Sequence, residues 1–216
     1  MFTKLSKETP GLQGRPELPS QPQDLINTYN HVDHREMPIS APRSHDRGRV
    51  AIFVDGSNLF YAAMQLGIEI DYTKLLCYLT QDGQLLRAFF YTGIDRVNDK
   101  QQGFLLWMRR NGYRVVTKDL VQLPDGSKKA NLDVEIAVDM MTLADHYDTA
   151  VLVSGDGDLA YAVNAVSYRG ARIEVVSLRS MTSDSLINVA DQYTDVADLK
   201  TYIQKVSRTN YTYHLL

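Results

Sequence analysis

Two short acidic loops stand out along this chain. The run RVAIFV (49–54) ends in Asp55-Gly56-Ser57-Asn58, and TAVLVS (149–154) ends in Gly155-Asp156-Gly157-Asp158. Each run is apolar and β-branched, which reads as a buried strand. Ligands of open α/β sheets bind beyond the carboxyl ends of such strands. Each loop alone also has a structural explanation, since Asp55 can close an Asx turn and Asp158 can cap a helix. A third carboxylate, Asp133, opens a helix predicted over 131–147. On a wheel of about 100° per residue it falls in line with Ala137, Met140 and Ala144, while Glu135, Asp139, Thr142 and His146 gather on the predicted solvent side. The helix dipole, with Asn131 as cap, is one reason for an acid there. The other is that Asp133 points into the mouth of the sheet, towards Asp55 and Asp156.

Carboxylates crowded into one small site either hold protons at raised pKa or coordinate a cation. An all-oxygen set of Asp with Asn suits Mg²⁺ or Mn²⁺ rather than zinc. Such an ion can orient a phosphodiester and activate water for in-line attack.

The elements that must position these acids alternate. Strands are predicted at 49–54, 85–92, 113–118, 149–154 and 171–177. Helices are predicted at 57–67, 72–80, 98–112, 131–147 and 158–170, then near 182–191 and 195–206. The segment 119–129 carries a Pro-Asp-Gly turn and reads as a hairpin or loop. This alternation means a mostly parallel sheet with helices on both faces. The first 47 residues differ in texture. Six of the seven prolines fall there, the charges cancel and no period is sustained. Such composition buries too little apolar surface to offset ordering entropy, so 1–47 reads as a disordered proline-rich arm. It is followed by a domain over 48–206 and a tail at 207–216. His31, His34 and His45 of the arm read as solvated side chains.

The 216 residues fit one domain with extensions. The single cysteine, Cys77, excludes an internal disulfide and a Cys-based zinc cluster, and reads as a core residue of 72–80. The net charge of −3 argues against a strongly basic nucleic-acid coat but not against an enzyme with a local basic patch. No apolar window is long enough for a membrane span, and no signal peptide is recognisable, so a cytoplasmic protein is expected.

The motifs AIFVDGSNLF, KKANLDVEIAVDMM and VLVSGDGDL occur in that order. They precede a Ser-Asp-x-Leu-Ile helix and Ala190-Asp191. Together they resemble the NYN domain, and within it the LabA-like branch of the PIN-related group, over roughly 49–205. The resemblance implies a PIN-like, flavodoxin-like three-layer α/β sandwich. It also implies a Mg²⁺- or Mn²⁺-dependent ribonuclease site in which Asp55, Asp133, Asp156 and Asp158 are the catalytic acids, with Asn58 beside them. Of these, Asp55, Asp133 and Asp156 are the expected metal ligands. Many relatives have Ser-Asp-Phe where this chain has Gly157-Asp158-Leu159; both aspartates survive. Ser183 could bind phosphate or serve only as an N-cap. Lys128, Lys129, Arg96 and Lys100 are candidates for the RNA backbone. Tyr61, Tyr91 and Tyr161 could each stack a base, and nothing in the sequence chooses among them. Phe104 and Trp107 read as packing residues.

Two other enzyme classes fit poorly. Aspartyl phosphoryl transfer requires a second Asp two residues after the first, where this chain has Ser57. A dinucleotide enzyme requires Gly-x-Gly-x-x-Gly after the first strand. The alternative to a ribonuclease is a non-catalytic RNA- or protein-binding regulatory module on the same fold, and a homo-oligomer is compatible with either.

Overall fold

The computed structural model describes residues 46–206, apart from 123, 125 and 127. Most of the 1–47 arm, its three histidines and the tail lie outside the described residues. Six strands form one parallel sheet: β1 (Arg49–Asp55), β2 (Gln84–Ile94), β3 (Tyr113–Asp119), β6 (Thr149–Val153), β7 (Arg172–Ser177) and β8 (Gln192–Asp195). The order across it is β3-β2-β1-β6-β7-β8. A separate two-stranded antiparallel hairpin, β4 (Val121–Gln122) with β5 (Lys128–Lys129), accounts for the Pro-Asp-Gly excursion.

Period-two alternation in β1 sorts the core into two layers. Val50, Ile52 and Val54 face α1 (Gly56–Leu66), α2 (Tyr72–Thr80), α3 (Asp99–Arg110) and α7 (Val196–Ile203), through Leu59, Leu75, Leu105 and Leu199. Ala51 and Phe53 face α4 (Asp133–Leu143), α5 (Ala160–Ser167) and α6 (Asp184–Ile187), through Ile136, Met140, Val163 and Leu186. The result is a three-layer α/β sandwich. Among the described residues no helix is long and apolar enough to cross a membrane.

The structure differs from the sequence reading at several elements. The helix over 131–147 stops at Leu143. That over 158–170 splits into a 3-10 turn, Gly157–Leu159, and α5. The segment 182–191 holds only the four-residue α6, preceded by a second 3-10 turn, Arg179–Met181. The edge strand β8 went unread because its residues Gln-Tyr-Thr-Asp make no apolar run. Pairing with β7 alone makes it a strand.

Cys77 is exposed rather than core, because α2 buries Leu75 and Leu79 and turns Cys77 away from them. Trp107 is likewise exposed, since α3 buries Leu105 and Met108. Phe104 does pack, against Tyr72 and Phe90.

The domain is entered at Arg47, which composition groups with the arm. Its guanidinium is largely buried, donates to both carboxylate oxygens of Glu174 at 3.1 and 2.8 Å, and also reaches the carbonyls of Leu79 and Gln81. Arg172 flanks the same carboxylate at 2.9 Å. Arg47→Met should destabilise the domain by roughly 2–4 kcal/mol, read as a lower urea midpoint, because it strands a largely buried carboxylate with one partner fewer.

Candidate active site

The order of the sheet fixes where a site can lie. From β1 the chain builds outward through β2 and β3, then returns to add β6, β7 and β8 on the other flank. The strand order therefore reverses between β1 and β6, and the crevice beyond their carboxyl ends is where such sheets bind ligands. Asp55 ends β1 and Ser154-Gly155-Asp156 follows β6. Parity along β1 puts Asp55 on the same side as Ala51 and Phe53, which is the side of α4. That helix carries Asp133 in its first turn. Asp55, Asp133 and Asp156 line one cleft of about 160 Å³.

Within it, Asp133, Asp156 and Asp158 each present a carboxylate oxygen, and all three oxygens lie within 4.8 Å of one another. Asp55 is not part of that group. Its Oδ1 accepts from the backbone N–H groups of Ser57 (3.0 Å) and Asn58 (3.1 Å), capping α1, and its Oδ2 accepts from Ser154 Oγ at 3.2 Å. Asp156 likewise accepts the N–H of Asp158 at 3.0 Å. Asn131 holds Asp133 from two sides: its Oδ1 accepts the Asp133 N–H at 2.9 Å, and its Nδ2 donates to Asp133 Oδ2 at 2.6 Å.

The electrostatics match the crowding. Burial raises the pKa of Asp55 above the usual carboxylate value, opposed by its three hydrogen bonds and reinforced by Asp156. Burial also raises that of Asp133, opposed by the hydrogen bond from Asn131 and reinforced by Asp156, Asp55 and Asp158. Carboxylates that resist ionisation beside one another are what a divalent cation relieves. The donor set is all oxygen, which suits Mg²⁺ or Mn²⁺.

Around this cluster the other candidate residues separate. Asn58 supports the site: its Oδ1 accepts the Gly155 N–H at 3.1 Å and so ties α1 to the Asp156 loop. Ser183 makes no side-chain cap bond to α6. It braces the same loop, with its N–H donating to the Gly155 carbonyl at 3.0 Å and its Oγ lying where a Cβ on Gly157 would meet it at 2.7 Å. Gly157 is thus pressed against Ser183. Lys129 lines the cleft, whereas the side chain of Lys128 lies outside the described residues. Arg96 is not at the cleft; it is an exposed partner of Asp119 at 2.9 Å. Lys100 is exposed on α3.

Glu135 and Asp139 are half-buried, not solvated as the wheel suggests. Lys118 of β3 pairs with Glu135 at 2.9 Å and holds its pKa below the usual value, and the Tyr91 hydroxyl donates to Asp139 at 2.9 Å. The exposed side of α4 is instead Val134 and Val138. Two supports escaped the sequence reading. Lys118 donates to the Asn131 carbonyl at 2.9 Å and so anchors the turn that carries Asp133. Ser154 joins Asp55 to the Asp156 N–H. Their one legible signal is position, each at or just past the carboxyl end of a strand.

Gly155 packs so closely that a Cβ there would run into the Met181 carbonyl and lie 2.6 Å from Ser177 Oγ. Gly155→Ala should therefore lose roughly 1–3 kcal/mol in urea unfolding through overpacking.

Known proteins resemble this chain in sequence and fold. The family model of the NYN domain matches residues 49–200. Over 168 residues the chain is 38% identical to the Low amplitude and bright protein LabA of Synechococcus elongatus, covering 74% of this chain and 90% of that protein. A crystal structure of a protein of unknown function from Vibrio parahaemolyticus matches with a TM-score of 0.64 at 29% identity, covering 74% of this chain and 98% of that one. With its parallel sheet and an aspartate cluster at the switch point, the chain belongs to the NYN domain family, a group of PIN-like nucleases, in its LabA-like branch.

Proposed function

We propose that this protein is a divalent-metal-dependent ribonuclease that hydrolyses phosphodiester bonds of single-stranded RNA. The observation that carries the reading is the approach of three carboxylates, Asp133, Asp156 and Asp158, to within 4.8 Å at the crevice of the sheet. These residues would hold Mg²⁺ or Mn²⁺, with Asp55 adding its charge from the end of β1. An ion so held supplies Lewis-acid polarisation of the phosphodiester and a bound water of lowered pKa.

The chain's own groups do the positioning. Asn131 engages one oxygen of Asp133 and leaves the other free to ligate. Ser154 and the first turn of α1 fix Asp55, so no reorganisation is required of it during reaction. Asn58 and Ser183 hold the Asp156 loop in place, and Lys129 offers a positive charge to the RNA backbone. Lys128, beside it in the hairpin, is assigned the same role. The activity is assigned to the domain that begins at Arg47 and runs to 206, with the residues on either side of it as appendages.

The test is incubation of the purified full-length protein with labelled single-stranded RNA, with Mg²⁺ or Mn²⁺ and with EDTA. Cleavage that requires the metal is expected. RNA binding without cleavage under any metal would leave a binding module in place of an enzyme.

A further inference from the structure

We infer that Tyr61 is a base-stacking platform that seats an unpaired nucleobase of the RNA beside the acidic cleft; this rests on the ribonuclease reading. The structure separates the three tyrosines that the sequence left equivalent. Tyr91 is only 1% exposed and spends its hydroxyl on Asp139, so it offers no free face. Tyr161 is 85% exposed on α5 but does not line the cleft. Tyr61 is 59% exposed and lines the cleft together with Asp55, Asp133, Asp156, Lys129 and Met181.

Its place in α1 explains why. The helix buries Leu59, Ala62 and Ala63 and starts at the Asp55 cap. Tyr61 lies one turn beyond Ser57 and Asn58, on the face that looks over the cleft. Phe60 and Met64 are also exposed on this helix, so three large apolar side chains meet water on one short element. A contiguous apolar patch at the rim of a polar cleft marks a contact surface rather than scattered exposure. The Phe60 ring meets that of Tyr61 nearly edge-on, with centroids 5.6 Å apart and planes at 69°, which braces the tyrosine ring.

The occupant follows from chemistry. A flat ring beside a cationic side chain and a metal-binding cluster suits a base joined to a phosphate. Lys129 takes the backbone charge and Tyr61 takes the π-face. A base in a duplex is already stacked on its neighbours, so only an unpaired base can use the platform. Stacking tolerates every base, so the expected preference is for single strands over duplex with little sequence bias.

The test is binding of the full-length protein to a labelled oligouridine with Ca²⁺ supplied, and cleavage read separately in Mn²⁺. Tyr61→Ala should weaken binding about five- to hundredfold. Tyr61→Leu, which keeps apolar bulk without the π-face, should behave like Ala. Tyr61→Phe should stay within about twofold of wild type, and Tyr161→Ala should be unchanged. An abasic oligomer of equal length should bind wild type and Tyr61→Ala alike. Equal oligouridine binding by Tyr61→Ala and wild type would overturn the platform. So would a loss of equal size on the abasic oligomer, since that signals damage to the cleft rather than lost stacking. If wild type binds RNA in a Tyr61-dependent way but cuts none, the platform stands and the catalytic reading falls. If wild type binds no single-stranded RNA, both fall.

Discussion

Replacing Asp156 with Asn is expected to lower metal-dependent RNA cleavage by a factor on the order of 10³ or more while leaving the protein folded. Asp156 accepts the Asp158 N–H that opens the 3-10 turn, and the amide oxygen of Asn can accept the same bond. What is lost is one of three charges gathered within 4.8 Å. Asp133→Asn should act alike. Metal-dependent stabilisation should disappear with activity. A ligand that binds only the folded state adds about 2.7 kcal/mol at a hundredfold excess over its Kd, or about 5–10 °C in thermal midpoint for a domain of this size. Wild type should therefore gain this increment in Mn²⁺ and Asp156→Asn should not.

Alanine variants separate chemistry from architecture. Asp55→Ala removes a cap to two backbone N–H groups and should lose about 0.5–2 kcal/mol, whereas Asp55→Asn should keep most of it. Destabilisation by Ala alone, with no metal effect in wild type, would mean structural acids on a binding module.

The second large effect is the pH dependence of metal stabilisation. In the metal-free protein the pKa values of Asp55 and Asp133 lie above the ordinary carboxylate range, chiefly through burial. Folding therefore favours their protonated forms. Their contribution is fully stabilising below the unfolded value of about 3.9 and is lost as pH rises through the folded values. Asp148, beside Arg49, and Glu135, beside Lys118, shift the opposite way and stabilise as pH rises. The informative quantity is thus the difference between wild type and Asp133→Asn. In EDTA the variant should gain on wild type as pH rises from about 4 towards neutrality. In Mn²⁺ the order should reverse, because ligation requires ionised carboxylates and strengthens as they deprotonate. Parallel profiles in EDTA, measured by urea unfolding across this range, would count against a crowded acidic site.

Much of this architecture is legible in local pattern. Two apolar runs, each with an aspartate one or two residues beyond it, mark two strand ends, and the 3.6-residue period places Asp133 with Met140 rather than with Thr142. Parity in β1 then delivers Asp55 to the side of α4. What local pattern missed depends on partners distant in sequence. Asp55 stands apart from the tight group because Ser154, distant in sequence and just past the neighbouring strand β6, and the α1 amides take its oxygens. Asp158 joins the group because a 3-10 turn replaces the first turn of the helix that follows β6. Glu135 is drawn inward by Lys118 on an edge strand. Cys77 lies in an apolar word, LLCYL, but α2 buries Leu75 and Leu79, with Tyr72, Leu76 and Tyr78 packed at their edges, and leaves Cys77 exposed.

The most direct measurement of the central claim is anomalous scattering from a crystal soaked in Mn²⁺. The expected result is a peak bounded by the carboxylates of Asp133, Asp156 and Asp158, and its loss in Asp156→Asn crystals soaked the same way. A cleft without anomalous density at Mn²⁺ concentrations that support cleavage, or a peak that persists unchanged in Asp156→Asn, would contradict the assignment of these aspartates as the metal centre.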